Sequence, residues 1–513
     1  MKTMTTMKKL FALMLAVLML LSVCAVAGAE DKEYDITGHQ FTAYQIFSGN
    51  QGESTDGTAV PLTDIEWGTG IIPADFLTAL KAENDVFMET GENGSLVNAF
   101  AGCETAQDVA DVLAGYEHDS DEAKKFAQIA YAYKTGDGQA VKDGEKLNPG
   151  YYLIADTTEF GDGTTDNAYN AALLQVTDTI NIQVKTSVPT VEKKIKDVND
   201  SETDSTTDWQ DSADYDIGDI VPYQLTATLG DELEYYDTYK IEFVDELTEG
   251  LTFKEITSVK VAGQVLLEDQ YTFVCTNNVL TITINDVLAL GAKEKNTIVV
   301  EYNAELNKDA EIGAAGNPNT VYLKYSNNPN DVSGMGETKR DKVTVFTYQL
   351  NIEKTDSDGK PLKGAAFELF KKNERGEYDS LGTKEAAATT SDPVQYIASW
   401  EGLDDGDYKL VETKTPENYN SIKDIEFTIS ANHDETSENP QLTELSGNAT
   451  TGSVEFVTDE NKTALSTTIV NKSGATLPET GGIGTTIFYV AGGMLVLLAV
   501  VLLVTKRRMG ENN

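Results

Sequence analysis

The C-terminal 40 residues contain the most constraining feature of the chain, an uninterrupted apolar run followed directly by basic residues. The run extends from Thr485 to Val504, and Lys506, Arg507 and Arg508 follow it close to the end of the chain. Twenty helical residues at about 1.5 Å each match a bilayer core of roughly 30 Å. The basic residues are expected to stay in the cytoplasm. The segment therefore predicts a C-terminal transmembrane helix at 485–504.

The N-terminus carries an export signal. Lys2, Lys8 and Lys9 precede an apolar stretch at 10–26, and the small residues at 27–29 fit the cleavage site of a secretory signal peptide. We therefore expect residues 1–29 to be removed and the mature chain to begin near Glu30.

The composition describes a folded and strongly acidic external protein. The chain has 513 residues and a formal net charge of -45, and removal of the signal peptide and the basic tail leaves the mature part near -50. Such a surface repels nucleic acid and anionic membranes. A hydrophobic content of 40% is too high for a disordered acidic chain. The mature length is enough for about three ordinary domains.

Cysteine usage offers little covalent stabilisation. Cys24 leaves with the signal peptide, and Cys103 and Cys275 lie far apart in the sequence. Exported proteins often contain disulfides, but here we expect two free, buried thiols. Another source of stability is needed.

The pattern along the chain divides the mature part into three blocks. The first, at 30–187, opens with an alternating strand at 41–47, continues with helical patterns near 73–80 and at 106–133, and returns to strands at 150–155 and 171–184. The second, at 188–346, and the third, at 347–473, consist of strands and turns. The predicted fold class is mainly β, with tandem Ig-like or prealbumin-like β-sandwich domains, the first of which has a helical insertion. Residues 474–513 form a stalk and the C-terminal helix.

In the third block, three strands each place one polar residue in phase with apolar neighbours that face the core. Residues two apart in a strand share a face, and burying an unpaired charge is costly. The three sets are Leu350, Ile352 and Lys354; Tyr408, Leu410 and Glu412; and Leu465, Ile469 and Asn471.

A lysine, an acid and an asparagine in one core predict an intramolecular Lys–Asn isopeptide bond. Burial lowers the proton affinity of a lysine, so that its neutral amine becomes a nucleophile. Burial raises the pKa of a carboxyl group, which can then polarise the Asn carbonyl and shuttle protons. We expect Lys354 and Asn471 to be bonded, with Glu412 as the catalytic acid and ammonia as the leaving group.

The third block resembles the SpaA-like prealbumin-type domain, also called CnaB. The resemblance rests on residues 354–356 and 361–369, on the Glu412-bearing stretch at 410–416 that corresponds to the E-box of the family, and on Ile469-Val470-Asn471. It implies the same bond and the same acid.

The second block contains a similar set of a lysine, an acid and an asparagine in core-facing strand positions. Lys193, Asp245 and Asn319 each share a strand face with apolar residues, and the stretches around them resemble the fimbrial isopeptide-formation domain of major pilins. We expect Lys193 to be bonded to Asn319, with Asp245 as the acid. Strand parity excludes Lys194, and Asn317 is the main competitor of Asn319. The first block has no lysine in its opening strand, and we expect no such bond there.

The pentapeptide before the apolar run completes a known arrangement. Its residues are Leu477, Pro478, Glu479, Thr480 and Gly481. Together with the span and the basic tail, it resembles the sorting signal of sortase substrates in Gram-positive bacteria, which implies cleavage between Thr480 and Gly481 and transfer of the Thr480 carboxyl to an amine. An ordinary membrane anchor is the alternative.

A candidate acceptor lysine lies before the second block. In backbone pilins the acceptor lysine follows Val-Tyr-Pro, and Lys185 lies at the matching place, with Gln183 and Val184 replacing Tyr-Pro.

Other polar patterns are interpreted as structural. Asp356-Ser357-Asp358-Gly359 begins like a calcium loop but lacks the later ligands, so we expect a turn. We expect the acid-rich segment at 197–219 to be a solvated loop. The three histidines are scattered, so we expect no metal site and no cofactor.

The sequence thus predicts a structural protein, and not an enzyme with turnover: the shaft subunit of a covalent, sortase-assembled pilus on the cell wall. The expected partners are a sortase, identical subunits and peptidoglycan. The sequence leaves open whether the protein binds a host surface ligand, and it excludes nucleic acid as a partner. The alternative is a singly wall-anchored adhesin. A secreted wall hydrolase lacks a catalytic constellation in the sequence.

Overall fold

The computed structural model describes residues 38–51, 62–91, 93–176, 182, 184, 187–474 and 483–510. The predicted mainly β architecture is confirmed, since strands dominate each of the three blocks and every block encloses its own apolar core. The signal peptide predicted at 1–29 lies outside the described residues.

The first block combines a small sheet with three helices. Its sheet has the strand order β2-β1-β6-β7, with β5 pairing to β1, and β3 pairs separately with β4. The helices cover one side of this sheet, and their apolar faces contribute Phe76, Val109 and Phe126 to the core. The elements are β1 (Phe41–Gln51), β2 (Leu62–Trp67), α1 (Pro73–Ala82), β3 (Met88–Thr90), β4 (Leu96–Asn98), α2 (Ala106–Leu113), α3 (Asp121–Ala132), β5 (Gln139–Val141), β6 (Gly150–Asp156) and β7 (Leu173–Val176).

The helical pattern predicted at 106–133 is two helices and not one. α2 starts at a capping box in which Thr105 and Asp108 bond reciprocally, and it ends before Gly115. α3 starts after Ser120, whose hydroxyl accepts the N–H of Ala123 at 3.2 Å. A glycine followed by a good N-cap residue therefore interrupts a pattern whose apolar spacing is continuous.

The second block is a sandwich of two sheets. One has the order β13-β12-β16-β10-β8, and the other has the order β14-β15-β11-β17-β19-β9, with β18 on β17. Burial alternates along β10 and β16 as the period of a strand requires. A single 3-10 turn occupies Leu233–Tyr235. The strands are β8 (Thr190–Ile195), β9 (Ser212–Asp214), β10 (Ile220–Thr228), β11 (Ile241–Leu247), β12 (Leu251–Val261), β13 (Gln264–Val265), β14 (Thr272–Thr276), β15 (Val279–Ile284), β16 (Thr297–Leu306), β17 (Asn317–Ser326), β18 (Met335–Glu337) and β19 (Asp341–Phe346).

The third block is a sandwich of two five-stranded sheets, with orders β23-β24-β20-β29-β28 and β22-β21-β25-β26-β27. Its first long strand, β20, runs parallel to its last strand, β29. The strands are β20 (Tyr348–Asp356), β21 (Ala366–Lys372), β22 (Tyr378–Glu385), β23 (Ala387–Ala388), β24 (Tyr396–Leu403), β25 (Gly406–Lys414), β26 (Ile425–His433), β27 (Leu442–Ala449), β28 (Phe456–Thr458) and β29 (Ala464–Asn471).

The C-terminal apolar run forms a helix, α4 (Ile483–Gly510). Its segment Phe488–Lys506 has a mean hydropathy of 2.5 and is not buried against the rest of the protein. By length and composition, this helix can cross a membrane.

Two expectations about polar residues are wrong. Cys103 is buried as expected, but Cys275 is exposed, because it lies on β14 at the edge of its sheet. The acid-rich segment at 197–219 is not a solvated loop. It packs against the third block, where the N–H of Ile217 donates to the carbonyl of Gly402 at 3.0 Å. The cation Lys371 offsets part of its charge.

Candidate functional site

The structure brings Lys354, Glu412 and Asn471 together in the core of the third block. Lys354 is on β20 and Asn471 on the parallel neighbour β29, with Asp356 directly opposite Asn471. Glu412 reaches the same place from β25 in the facing sheet. Lys354 and Asn471 are fully buried, and Glu412 is 9% exposed. The phase of the three strands therefore placed these side chains correctly.

The acid holds the asparagine in place. The Asn471 amide nitrogen donates to the two Glu412 carboxylate oxygens at 2.9 and 3.1 Å and to the Asn420 carbonyl at 3.0 Å. Glu412 also accepts the N–H of Ile422 at 3.0 Å. Within the described residues, the Asn471 side-chain oxygen is buried without a hydrogen-bond partner. This oxygen is the one that a protonated carboxyl would have to polarise.

The hydrogen-bond acceptors of the lysine are neutral backbone groups. Its Nζ donates to the backbone carbonyls of Thr355 at 2.7 Å and Ile469 at 2.9 Å. Burial lowers the pKa of Lys354 to about 8, against an opposing contribution from the charge of Glu412. About a tenth of the amine is therefore neutral at pH 7, far more than for an ordinary lysine, and a nucleophile must be neutral.

The second block assembles Lys193, Asp245 and Asn319, each fully buried. Lys193 projects from β8 in one sheet, whereas β11 and β17 in the other sheet carry the acid and the asparagine. Lys193 Nζ donates to an Asp245 oxygen at 2.5 Å. Burial lowers the pKa of Lys193 and raises the pKa of Asp245. Both shifts favour a neutral amine beside a protonated carboxyl.

Tyr302, on β16, is the residue of this site that sequence reasoning missed. Its hydroxyl accepts from Lys193 Nζ at 3.0 Å and from the Asn319 amide at 2.7 Å, and it donates to Asp245 at 2.9 Å. One phenol thus joins the lysine, the acid and the asparagine. The only signal in the sequence is the inward phase of Tyr302 on β16, which any core tyrosine shares.

The structure distinguishes Lys193 and Asn319 from the nearby Lys194 and Asn317. Lys194 points to the other face of β8, where its Nζ pairs with Asp211 at 2.6 Å. The Asn317 side chain is bonded to the backbone: it accepts from the N–H of Glu311 at 2.8 Å and donates to the carbonyls of Glu311 at 2.9 Å and Val345 at 3.3 Å. The Asn319 side-chain oxygen, in contrast, has no partner among the described residues.

The first block contains no comparable set among its described residues. Its buried acid, Asp156 on β6, pairs with His39 at 2.8 Å and with the Asn170 amide at 2.9 Å, and no lysine joins them. The expectation that this block lacks the bond remains a prediction.

The residues expected to take part in sorting lie outside the described residues. These are Lys185, Leu477, Pro478, Glu479, Thr480 and Gly481. Two nearby residues are described: Val184 packs on the core that surrounds Phe41, and the N–H of Ser187 donates to Glu232 of the second block at 3.0 Å.

Two family models match the chain. Residues 348–441 match SpaA, described as a prealbumin-like fold domain, and residues 469–509 match the LPXTG cell wall anchor motif. The predicted resemblances of the third block and of the C-terminus are thereby confirmed.

One curated protein is similar to part of the chain. The chain is 28% identical over 274 residues to the trypsin-resistant surface T6 protein of Streptococcus pyogenes serotype M6, a match that covers 48% of this chain and 47% of the relative. The chain thus spans about half the length of this relative.

Two solved structures align with most of the chain. The T6 backbone pilin of S. pyogenes serotype M6 is 17% identical with a TM-score of 0.49, and the alignment covers 86% of this chain and 98% of the pilin. The major pilin SpaD of Corynebacterium diphtheriae is 16% identical with a TM-score of 0.42, covering 85% of this chain and 93% of the pilin. The family matches show that the chain carries a SpaA-type prealbumin-like domain and an LPXTG cell wall anchor motif, which mark it as a cell-wall-anchored surface protein.

Proposed function

We propose that this protein is the shaft subunit of a covalent pilus, strengthened by two internal Lys–Asn isopeptide bonds. The observation that carries the proposal is the buried set of Lys193, Asp245, Tyr302 and Asn319, joined by hydrogen bonds of 2.5 to 3.0 Å. A buried lysine beside an acid and an otherwise unbonded asparagine oxygen serves no packing purpose, because an apolar residue of similar size would cost less to bury.

The reaction is an amide exchange within one chain. The neutral Nζ of the lysine attacks the side-chain carbonyl carbon of the asparagine, and the protonated carboxyl donates to the asparagine oxygen. As the C–N bond to Nζ forms, the original amide nitrogen leaves as ammonia, and the carboxyl carries the proton from Nζ to the leaving group. The pairs would be Lys193 with Asn319 through Asp245, and Lys354 with Asn471 through Glu412.

Both asparagines are anchored in their sites through the amide nitrogen. Each donates its amide nitrogen to a site residue while its oxygen lacks a partner within the described part of the chain. A half-turn of the Asn471 amide places its oxygen against Glu412, and a half-turn of the Asn319 amide places its oxygen against the Tyr302 hydroxyl, which itself donates to Asp245.

The assembly step joins subunits end to end. A sortase would cleave between Thr480 and Gly481, and the Thr480 carboxyl would form an amide with Lys185 of the next subunit or with an amine of peptidoglycan. Lys185 lies between Val184 and Ser187, which are fixed on the first and the second block respectively. A lysine that lies in the sequence between two domains suits an acceptor that must meet the C-terminal end of another copy.

Polymerisation in a Gram-positive host with a pilus sortase tests this proposal. We expect the wild-type chain to form a ladder of covalent polymers that survives boiling in detergent. The Lys185→Ala variant should give wall-linked monomers only, and Thr480→Ala should remain in the membrane. Lys142→Ala, which removes an exposed lysine of the first block, is the control and should leave the ladder intact. A wild-type chain that is only monomeric on the wall would indicate the singly anchored adhesin.

A further inference from the structure

One edge of the second block is open. Its seven-stranded sheet ends at β14 (Thr272–Thr276), and all five residues of this strand are exposed. The strand contains neither a charged residue nor a proline, the two features that usually protect a sheet edge. The opposite edge of the sheet is covered by the third block, where the hydroxyl of Ser212 on β9 donates to the carbonyl of Asp434 at 2.7 Å.

The backbone of β14 has hydrogen-bonding groups that point out of the sheet. β14 and β15 form a hairpin around the two-residue turn at 277–278, whose φ angles of 52° and 61° are those of a type I′ turn. Thr276 and Val279, which flank the turn, therefore exchange backbone hydrogen bonds. Because bonded and non-bonded pairs alternate along an antiparallel ladder, the N–H and C=O groups of Phe273 and Cys275 point away from β15. Within the part of the chain that the structure describes, no other element bonds to these groups.

The side chains along this edge are apolar. No charged residue lies between Asp269 and Asp286, although the chain as a whole has a formal net charge of -45. Copies of so acidic a protein repel one another over most of their surface, so two copies approach at the lowest electrostatic cost along this strip. Four exposed apolar side chains lie on β14 or on the segment that leads into it: Val265, Leu267, Phe273 and Val274.

We propose that β14 pairs with β14 of a second copy of this chain, antiparallel and centred on Val274. An antiparallel pair of identical strands has two-fold symmetry, as a contact between two identical chains requires. In this register Phe273 of each copy lies opposite Cys275 of the other, so every outward N–H and C=O group of the two residues is bonded. A register centred on Phe273 or on Cys275 would pair one of them with a residue outside the strand.

The pairing also fixes the relative direction of the two copies. β19 begins beside the first block, where the N–H of Lys339 donates to Asp166 at 3.2 Å, and it leads directly into the third block. β14 runs in the same direction as β19, because β17, β11 and β15 alternate between them. Antiparallel β14 strands therefore place the two copies side by side with opposite directions.

The contact does not depend on polymerisation, but polymerisation would strengthen it. A single pair of five-residue strands is weak, whereas a contact repeated at every subunit of the proposed shaft would gain from the high local concentration of the others. Shafts that point in opposite directions extend from two facing cells. The edge would thus join the shafts of neighbouring cells.

Disulfide trapping in the purified full chain, kept in detergent, tests the pairing without polymerisation. The background Cys24→Ser/Cys275→Ser retains only Cys103, which is buried. Adding Val274→Cys puts two thiols in a non-hydrogen-bonded pair with Cα atoms about 4.5 Å apart, within reach of a disulfide. Under mild oxidation we expect a dimer to form at least about tenfold faster than with Thr276→Cys, the matched control, whose thiol would lie opposite Thr272.

A proline separates strand pairing from apolar contact. Cys275→Pro in place of Cys275→Ser removes an outward N–H and keeps the bonds to β15, so the Val274→Cys dimer should form as slowly as the Thr276→Cys control. Added salt should speed the Val274→Cys reaction, because it screens the repulsion between acidic copies.

Equal dimer rates for Val274→Cys and Thr276→Cys would overturn the proposal, because the chains would then meet only by sharing a micelle. This comparison decides alone if the proline variant does not fold. A rate that the proline leaves unchanged would overturn strand pairing as well. The ladder of covalent polymers is measured separately, so failure of the pairing and failure of the proposed shaft are distinguishable.

Discussion

At the residue scale, the proposed bond of the second block requires that one of two adjacent lysines faces the core and the other does not. Lys193 and Lys194 are neighbours on β8, but the first is fully buried beside Asp245, whereas the second pairs with Asp211 on the other face. The alternation of side chains along a strand fixes this choice, because a shift by one residue exchanges the two faces.

Intact-mass spectrometry of the purified protein tests this choice. We expect the wild-type mass to be lower than the sequence mass by two molecules of ammonia. Lys193→Ala should lose only one, because the amine of the second block is gone, while Lys194→Ala should still lose two. In the same way, Asn319→Ala should lose one and Asn317→Ala two. If the loss of ammonia from the second block disappeared in Lys194→Ala or in Asn317→Ala, the proposed pairing of Lys193 with Asn319 would be wrong.

Tyr302 is predicted to position the reacting groups of the second block. Tyr302→Phe removes the hydroxyl that bonds Lys193, Asp245 and Asn319, so the bond should form at least about tenfold more slowly but still go to completion. Masses recorded at intervals after a pulse of synthesis give the rate. Tyr325→Phe is the control, because its hydroxyl donates to Asn167 and not to the site. If the bond formed at equal rates in the two variants, Tyr302 would have no role beyond packing.

The lysine of the third block should make stability depend on pH when its bond cannot form. In Asn471→Ala, Lys354 stays buried, and its pKa of about 8 in the folded state lies below the ordinary 10.5. The unfolded chain therefore binds more protons between these values, so the free energy of unfolding should rise as the pH rises from about 8 to about 10.5. Denaturant unfolding should show this rise in Asn471→Ala and a smaller one in Lys354→Met/Asn471→Ala. Identical slopes would contradict the buried, partly neutral lysine.

At the scale of the elements, the two proposed bonds connect the sandwiches differently. In the third block, Lys354 and Asn471 lie on β20 and β29, adjacent parallel strands at the two ends of the domain. In the second block, Lys193 and Asn319 lie in opposite sheets. A tension along the chain enters the third block at β20 and leaves at β29, so the bond between them would carry the load while the sandwich stays folded.

Single-molecule pulling tests this load path. In the wild-type chain, the third block should give no unfolding extension between Lys354 and Asn471. In Glu412→Gln, which lacks the acid, it should release roughly 120 residues, or about 400 Å of extended chain. By analogy with a disulfide that closes a loop of this length, the bond should also contribute about 4–5 kcal/mol to stability. A full extension of the third block in the wild-type chain would show that the bond is absent.

Alternation in the sequence was sufficient to predict the strands that carry the site, because one face of each is buried and the period is two. It did not predict the break between α2 and α3, since apolar spacing continues through Gly115 and only the caps mark it. Nor did it single out Tyr302, whose role depends on three strands that are distant in sequence.

At the scale of the whole molecule, contacts between blocks were the least predictable part. The acidic segment at 197–219 reads as solvated because its partners, Lys371 and His433, are more than 150 residues away. The first and second blocks also meet through polar contacts, among them Lys124 with Glu234 at 2.9 Å and the Tyr325 hydroxyl with the Asn167 carbonyl at 2.9 Å. Such pairings follow from the packing of finished domains and leave no periodic signal in the sequence.

The central claim is that one copy of this chain becomes covalently attached to the next. Tandem mass spectrometry of protease-digested cell-wall material from the native host tests it most directly. We predict a branched peptide in which the carboxyl of Thr480 is bonded to the Nζ of Lys185. Thr480 found only on peptidoglycan cross-bridges, with Lys185 unmodified in every peptide, would contradict the claim.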